Sequence, residues 1–254
     1  MNFCFRALTS RIRAAGSVTL VAGTAMVFTA LASGGCSADI FDVSVELMPE
    51  AFTVDFGASS GTIPTVVCDP QDTSASACGG AIQVGDGTGQ ATLRLGCDAA
   101  SARCFGQADA AMNTTVDVLR DEAFTSKVGR KAVSLVRMLD IAVTVPTNTM
   151  TFDVPRIDVY VGPPGITLPG DAGVVFLDRL YPIAAGTTIT STTDARHLVV
   201  ADGSPARDLI ERSIKGKSPF VFVLALAPRL DSGAPIPAGT LTVNLQPLLG
   251  LGCR

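Results

Sequence analysis

Apolar and polar residues alternate with a period of two over much of this chain, and that rhythm predicts strands. Phe41, Val43, Val45 and Leu47 are separated by Asp42, Ser44 and Glu46, and after Pro49-Glu50 the alternation resumes at Phe52, Val54 and Phe56. The two runs read as a pair of half-buried strands. Leu93 and Leu95 repeat the pattern, as do Val116 and Val118, then Leu139, Ile141, Val143 and Val145, and finally Leu241, Val243 and Leu245. Phe152 and Val154 pass to Ile157, Val159 and Val161 with a change of phase at Pro155-Arg156, which predicts a bulge or a sheet edge there. Phe220 to Ala227 contains no polar residue and reads as a strand covered on both faces. Turn residues punctuate these runs at Gly85-Asp86-Gly87, Pro146-Thr147-Asn148, Pro163-Pro164-Gly165 and from Pro235 to Gly239.

One segment has the period of a helix. Ser204 fits an N-cap, Pro205 the first helical position, and Ala206, Leu209, Ile210 and Ile214 form one apolar stripe before Gly216. A second, shorter helix fits residues 121–131. The predicted fold class is therefore mainly β: an antiparallel β-sandwich with one short helix in its C-terminal half and a cysteine-containing, disulfide-stapled insertion at residues 68–104. No internal repeat of fixed period is present, which argues against a propeller or solenoid.

The first 36 residues obey a different logic. Arg6, Arg11 and Arg13 precede an apolar run from Val18 to Ala32, and no acid occurs before Asp39, the charge order of an export signal. The run falls short of the roughly 20 residues that a spanning helix requires. Leu31-Ala32-Ser33-Gly34-Gly35-Cys36 resembles the lipobox of bacterial lipoproteins. That resemblance implies a signal peptide at residues 1–35, lipidation at Cys36, and a single mature domain at residues 36–254 tethered to a membrane. It departs from the usual pattern at Ser33, where a Leu is customary. Ser37 after the cysteine implies, by the same resemblance, the outer membrane or the periplasm. Ala30-Leu31-Ala32 also fits an ordinary cleavage site, which would leave a secreted, soluble β-domain without lipid.

Removing the signal leaves 16 basic and 23 acidic residues, a formal charge of −7. This speaks against nucleic acid as a partner, since phosphate binding draws on clustered Lys and Arg. The basic stretch Arg120, Lys127, Arg130, Lys131 and Arg137 is interleaved with Asp121 and Glu122 and reads as a solvated face. With Cys4 in the signal and Cys36 carrying lipid, Cys68, Cys78, Cys97, Cys104 and Cys253 remain as a disulfide inventory. Proximity in sequence predicts Cys68 with Cys78 and Cys97 with Cys104, leaving Cys253 single or exchanged into one of these pairs; without lipid, Cys36 is available to bridge to it. The spacings do not fit a zinc site, and no metal or other cofactor is expected. There is no tryptophan, and tyrosine occurs only at 160 and 181, which makes a sugar-stacking platform unlikely to form.

Little of the sequence carries catalytic chemistry. Gly57-Ala58-Ser59-Ser60-Gly61 matches the G-x-S-x-G pattern, and the lone His197 lies downstream of several aspartates, so an exported serine hydrolase using Ser59 and His197 can be written down. Strand-like sequence follows Ser59 where a nucleophile elbow requires a helix, and a turn between strands is the simpler account. His197 is expected exposed in a polar loop, Gly85-Asp86-Gly87 as a hairpin turn, and Asn113-Thr114-Thr115 as an entry to a strand. The run from Asp153 to Gly162 resembles uncharacterised exported β-domain proteins, and that resemblance carries no activity. The function expected is a non-catalytic, lipid-anchored envelope protein serving as a structural or interaction module for another envelope protein or a small apolar ligand.

Overall fold

A computed structural model describes residues 41–58, 60–69, 71, 78–79, 81–83, 91–129, 131–190 and 194–253. The signal region with Cys36, the serine at 59 and the turn at residues 84–90 lie outside the described residues. The chain order is β1 (Phe41–Glu46), β2 (Glu50–Asp55), β3 (Ala81–Gln83), β4 (Ala91–Asp98), β5 (Arg103–Val116), α1 (Glu122–Lys127), β6 (Val133–Asn148), β7 (Ile157–Gly162), β8 (Val175–Leu180), β9 (Arg196–Val199), α2 (Pro205–Gly216), β10 (Phe220–Leu226), β11 (Arg229–Leu230) and β12 (Thr240–Cys253). These build an antiparallel sandwich. The smaller sheet runs β1-β12-β6-β9 with β2 also on β12, and the larger runs β3-β4-β5-β10-β7-β8 with β11 on β5. One apolar core, from Val45 and Phe52 to Leu249 and Leu251, lies between them.

The two N-terminal runs do not pair with each other. Both lie along β12, β1 opposite Leu248 to Cys253 and β2 opposite Thr240 to Leu245. Pro247 explains the break. The Leu47 N–H donates to the Pro247 carbonyl at 3.0 Å, but proline has no N–H to return, so the ladder loses a bond on that side. The chain leaves β12 there, and the Met48 N–H turns instead to Asp121 Oδ2 at 2.6 Å. Asp121 is buried and also caps α1 by accepting the Phe124 N–H at 2.8 Å, so one carboxylate satisfies a strand break and a helix start.

Thr114 Oγ1 donates to Glu50 at 3.0 Å, which places the last residues of β5 beside the middle of β12, where Glu50 pairs with Leu245. The stretch of the smaller sheet from Phe41 to Glu46 extends past this point, and α1 packs on β1 while α2 packs on β6. Phe124, Val128, Ala206, Ile210 and Ile214 supply the apolar cover. The predicted N-cap holds: Ser204 Oγ accepts the Arg207 N–H at 3.2 Å. The helix runs through Gly216, and its C-cap Lys217 lies in the left-handed region at φ 51°.

Several expectations need correcting. The disulfides join Cys68 to Cys97 and Cys78 to Cys104, not the sequence neighbours. Cys97 and Cys104 stand directly opposite each other in the β4–β5 hairpin, whose own hydrogen bonds already fix that pair. Each instead reaches out to the 68–78 segment, so the stapled region supplies β3 and β4 to the margin of the larger sheet. β6 continues through Pro146 to Asn148, because a register shift opposite Thr242 and Asn244 absorbs the proline as a bulge. Asn113 lies within β5, opposite Val223. The phase change at Pro155-Arg156 marks the crossing from β6 in one sheet to β7 in the other. β10 is central, between β5 and β7, and buried on both faces as expected.

Candidate functional site

His197 and the described residues that flank Ser59 lie at different places on the smaller sheet. Ser59 lies outside the described residues. Its described flanks are tied to the smaller sheet's margin: the Gly57 carbonyl accepts the Gly239 N–H at 2.9 Å, and the Gly61 carbonyl accepts the Ile236 N–H at 3.1 Å. Residues 61–69 contain no helix. His197 is in β9, a strand and not a loop, and is exposed as expected; its Nδ1 meets Asp140 Oδ2 at 2.7 Å on the outer face. It sits opposite Ala142, and Ala142 opposite Gln246. Gly239 and Gln246 are thus separated along β12 by about 24 Å at strand rise.

The four bonded cysteines hold no free thiolate. The sulfurs of Cys68, Cys78 and Cys104 lie within 4.8 Å of one another, but each is committed to a disulfide and buried. Cys78 Sγ additionally lies 3.2 Å from the Gly96 carbonyl. The arrangement is a covalent knot, not a metal centre.

One cleft gathers carboxylates where the sheets part. Glu50, Asp117 and Asp121 line it with Met48, Arg120 and Pro219 around about 370 Å³. Burial pushes the Glu50 carboxyl above the usual carboxylate range; the Thr114 hydroxyl pulls the other way, and the Asp121 charge adds to the rise. Yet both Asp121 oxygens are occupied by backbone N–H groups, and Asp117 accepts the Leu119 N–H at 3.0 Å. Glu50 keeps its own partner in the Thr114 hydroxyl.

The outer face of the larger sheet offers a different kind of site. Residues 163–174, between β7 and β8, strap across it. Ile166 anchors the strap on Val221 and Val223 of β10, and it packs so closely over Gly162 that a Cβ there would fall 2.3 Å from Ile166 Cδ1. Asp171 rigidifies the tip by accepting the N–H groups of Thr167 and Leu168 at 2.7 and 2.9 Å. Those two backbone bonds, Thr167 foremost, hold its carboxyl below the usual carboxylate range. Beyond the strap a groove of about 350 Å³ lies open, floored by Ala111 and Ala225 and walled on one side by Leu168 and Pro169. The Arg94–Asp109 ion pair forms the other wall. Leu168 is 53% exposed.

The same face continues toward the β4–β5 turn as a second polar row. The Arg229 guanidinium stacks 4.1 Å from the centre of the Phe105 ring and pairs with Asp98. The Asp98 carboxyl also accepts the Ala100 and Ser101 N–H groups. Backbone bonds, Ser101 first, keep its pKa low, with Arg229 adding to the effect. Planar cations and fixed carboxylates thus border a floor of small residues. The sequence signal for this face was weak, because its members come from β4, β5, β10 and a proline-glycine strap distant in the chain. Comparison with protein-family models, with curated proteins and with solved structures finds no match to this chain.

Proposed function

We propose that this chain is an exported, lipid-anchored envelope protein without catalytic activity, whose β-sandwich acts as an interaction module for another envelope protein. The observation that carries the interaction reading is the groove beside the 163–174 strap, where the exposed Leu168 overlooks an uncovered floor of Ala111 and Ala225. Two buried disulfides support export, since such bonds persist in oxidising compartments. The lipobox-like Leu31 to Cys36 supports the tether. The non-catalytic reading rests on the dispersal of the candidate groups: His197 pairs with Asp140 on one outer face, while the flanks of Ser59 are bonded near Gly239.

Two experiments test this. Intact mass of membrane-purified protein, before and after reduction, should give a chain beginning at Cys36 with added acyl mass and a gain of four hydrogens from two disulfides. A full-length, fully reduced chain in the cytosolic fraction would overturn export. Photo-crosslinking in cells from position 168 should trap one discrete protein adduct, whereas the same probe at Asp55, exposed at the end of β2, should not. Equal patterns from both positions would remove the groove as a docking site.

A further inference from the structure

We propose that the end of the sandwich carrying the lysines is a docking surface for anionic phospholipid headgroups of the bilayer that holds the anchor. The inference rests on the tether reading and adds an orientation to it. The whole chain contains only four lysines, at 127, 131, 215 and 217, and the fold brings them to one place. Lys127 ends α1 and donates to the Ser44 carbonyl at 2.8 Å, three residues from the start of β1. Lys217, at the C-cap of α2, donates to the Gly129 carbonyl at 2.6 Å, midway in sequence between Lys127 and Lys131. Lys215 lies in the last turn of α2.

The charges around them are unequal. Glu211 bonds both Lys215 and Arg207, and Asp42 is paired with Arg137. Asp202 pairs with Arg207. Glu122 and Asp208 stand in the first turns of the two helices, about 8 and 10 Å along their axes from the lysines. A mature chain of formal charge −7 therefore keeps all its lysines at a single pole. A bond to one carbonyl leaves the Lys127 and Lys217 ammonium groups their charge and two further donors each.

Chain length decides what that pole faces. Phe41, the first described residue, pairs with Cys253 at the extremity of the smaller sheet. Cys36 precedes it by five residues, which can span at most about 18 Å. Acyl chains at Cys36 thus hold this extremity close to the headgroups, within reach of the field of an anionic leaflet. The opposite extremity, at Asp55 and Thr240, then points away from the membrane.

The test uses the acylated protein purified from membranes and reconstituted into phosphatidylcholine vesicles with or without phosphatidylglycerol. Because every lysine belongs to the proposed surface, acylation of lysine by a soluble amine reagent, read by peptide mass, reports on it directly. Phosphatidylglycerol should slow labelling of Lys127, Lys131, Lys215 and Lys217 several-fold at low salt, and high salt should restore the rate. Identical rates in the two vesicles at low salt would overturn the surface while leaving the tether standing. If the purified chain carries no acyl mass, the tether reading fails on its own. Co-sedimentation of that unacylated chain with phosphatidylglycerol vesicles then decides: salt-sensitive binding lost in a Lys127→Gln/Lys131→Gln variant upholds the surface, and absence of binding overturns it.

Discussion

Glu50 shows how a single carboxyl couples the fold to pH. Its proton affinity is raised in the folded protein, chiefly by burial, so folding favours the protonated form. The stability this contributes is fully present below the ordinary glutamate value of 4.5 and is lost as pH rises through the higher folded value. Glu50→Gln keeps an acceptor for Thr114 and removes the buried charge. Its melting midpoint should exceed that of the wild type at neutral pH, with the gap closing in acid; a lower midpoint at neutral pH would contradict the burial argument. Asp98 and Asp171 titrate in the opposite sense: their stabilising contribution is lost as pH falls through their depressed values.

Arg207 is a residue that the hydrophobic pattern could not reveal. It is buried, and its guanidinium reaches the carbonyls of Val200, Val136 and Arg137 as well as Glu211 and Asp202. Those β6 carbonyls lie beside the register shift at Gly250 and Leu251. Arg207→Ala strands buried carbonyls and an unpaired Glu211, and chemical denaturation should register a loss of about 3 kcal/mol. Lysine cannot reproduce the fork, so Arg207→Lys should recover only part of that loss. Gly239 makes the complementary point about backbone. Its φ is +99°, and a Cβ there would fall 2.2 Å from the Thr149 carbonyl oxygen, so Gly239→Ala should cost about 2 to 4 kcal/mol in the same assay.

At the scale of elements, the disulfides show why sequence distance misleads. Pairing Cys97 with Cys104 would close a loop that the β4–β5 hairpin already closes through hydrogen bonds. The observed bridges span 29 and 26 residues, and each constrains the unfolded chain by about 3 to 4 kcal/mol on the loop-entropy estimate. Replacing Cys68 and Cys97 together by alanine should cost about that much and release residue 68 from β4. Protection of β4 amides from hydrogen exchange should fall, while β12 amides should hardly change; equal loss in both would show that the staple serves the entire sandwich. β5 illustrates a strand that alternation hides. Its inward positions include Gly106, Ala108 and Ala110, too small to stand out, because Ile63 and Leu93 press against Gly106 and fill the space.

At the scale of the whole molecule, the two sheets match over only part of the smaller one, and α1 and α2 complete the cover beyond Glu50. That division gives the sandwich two unlike ends, one with the lysines and the start of β1, the other with Asp55 and Thr240. No helix among the described residues is long and apolar enough to cross a membrane. The groove faces sideways from the larger sheet, away from the core. A partner trapped there, with the lysine pole on the lipid, would lie alongside the sandwich and not beneath it.

The amino-acid sequence alone determined the strand-rich class, the central buried β10, the capped α2 and the cysteines available for bridging, because period, capping and composition act over a few residues and are written there directly. It left His197 in a loop, missed Arg207 and paired the wrong cysteines. Tertiary structure decided the bridges, the strand break at Pro247, the carbonyl cage around Arg207 and the gathering of lysines from two helices. Each of these depends on which distant segments the common core brings together, and burying that core selects an arrangement that local pattern does not encode.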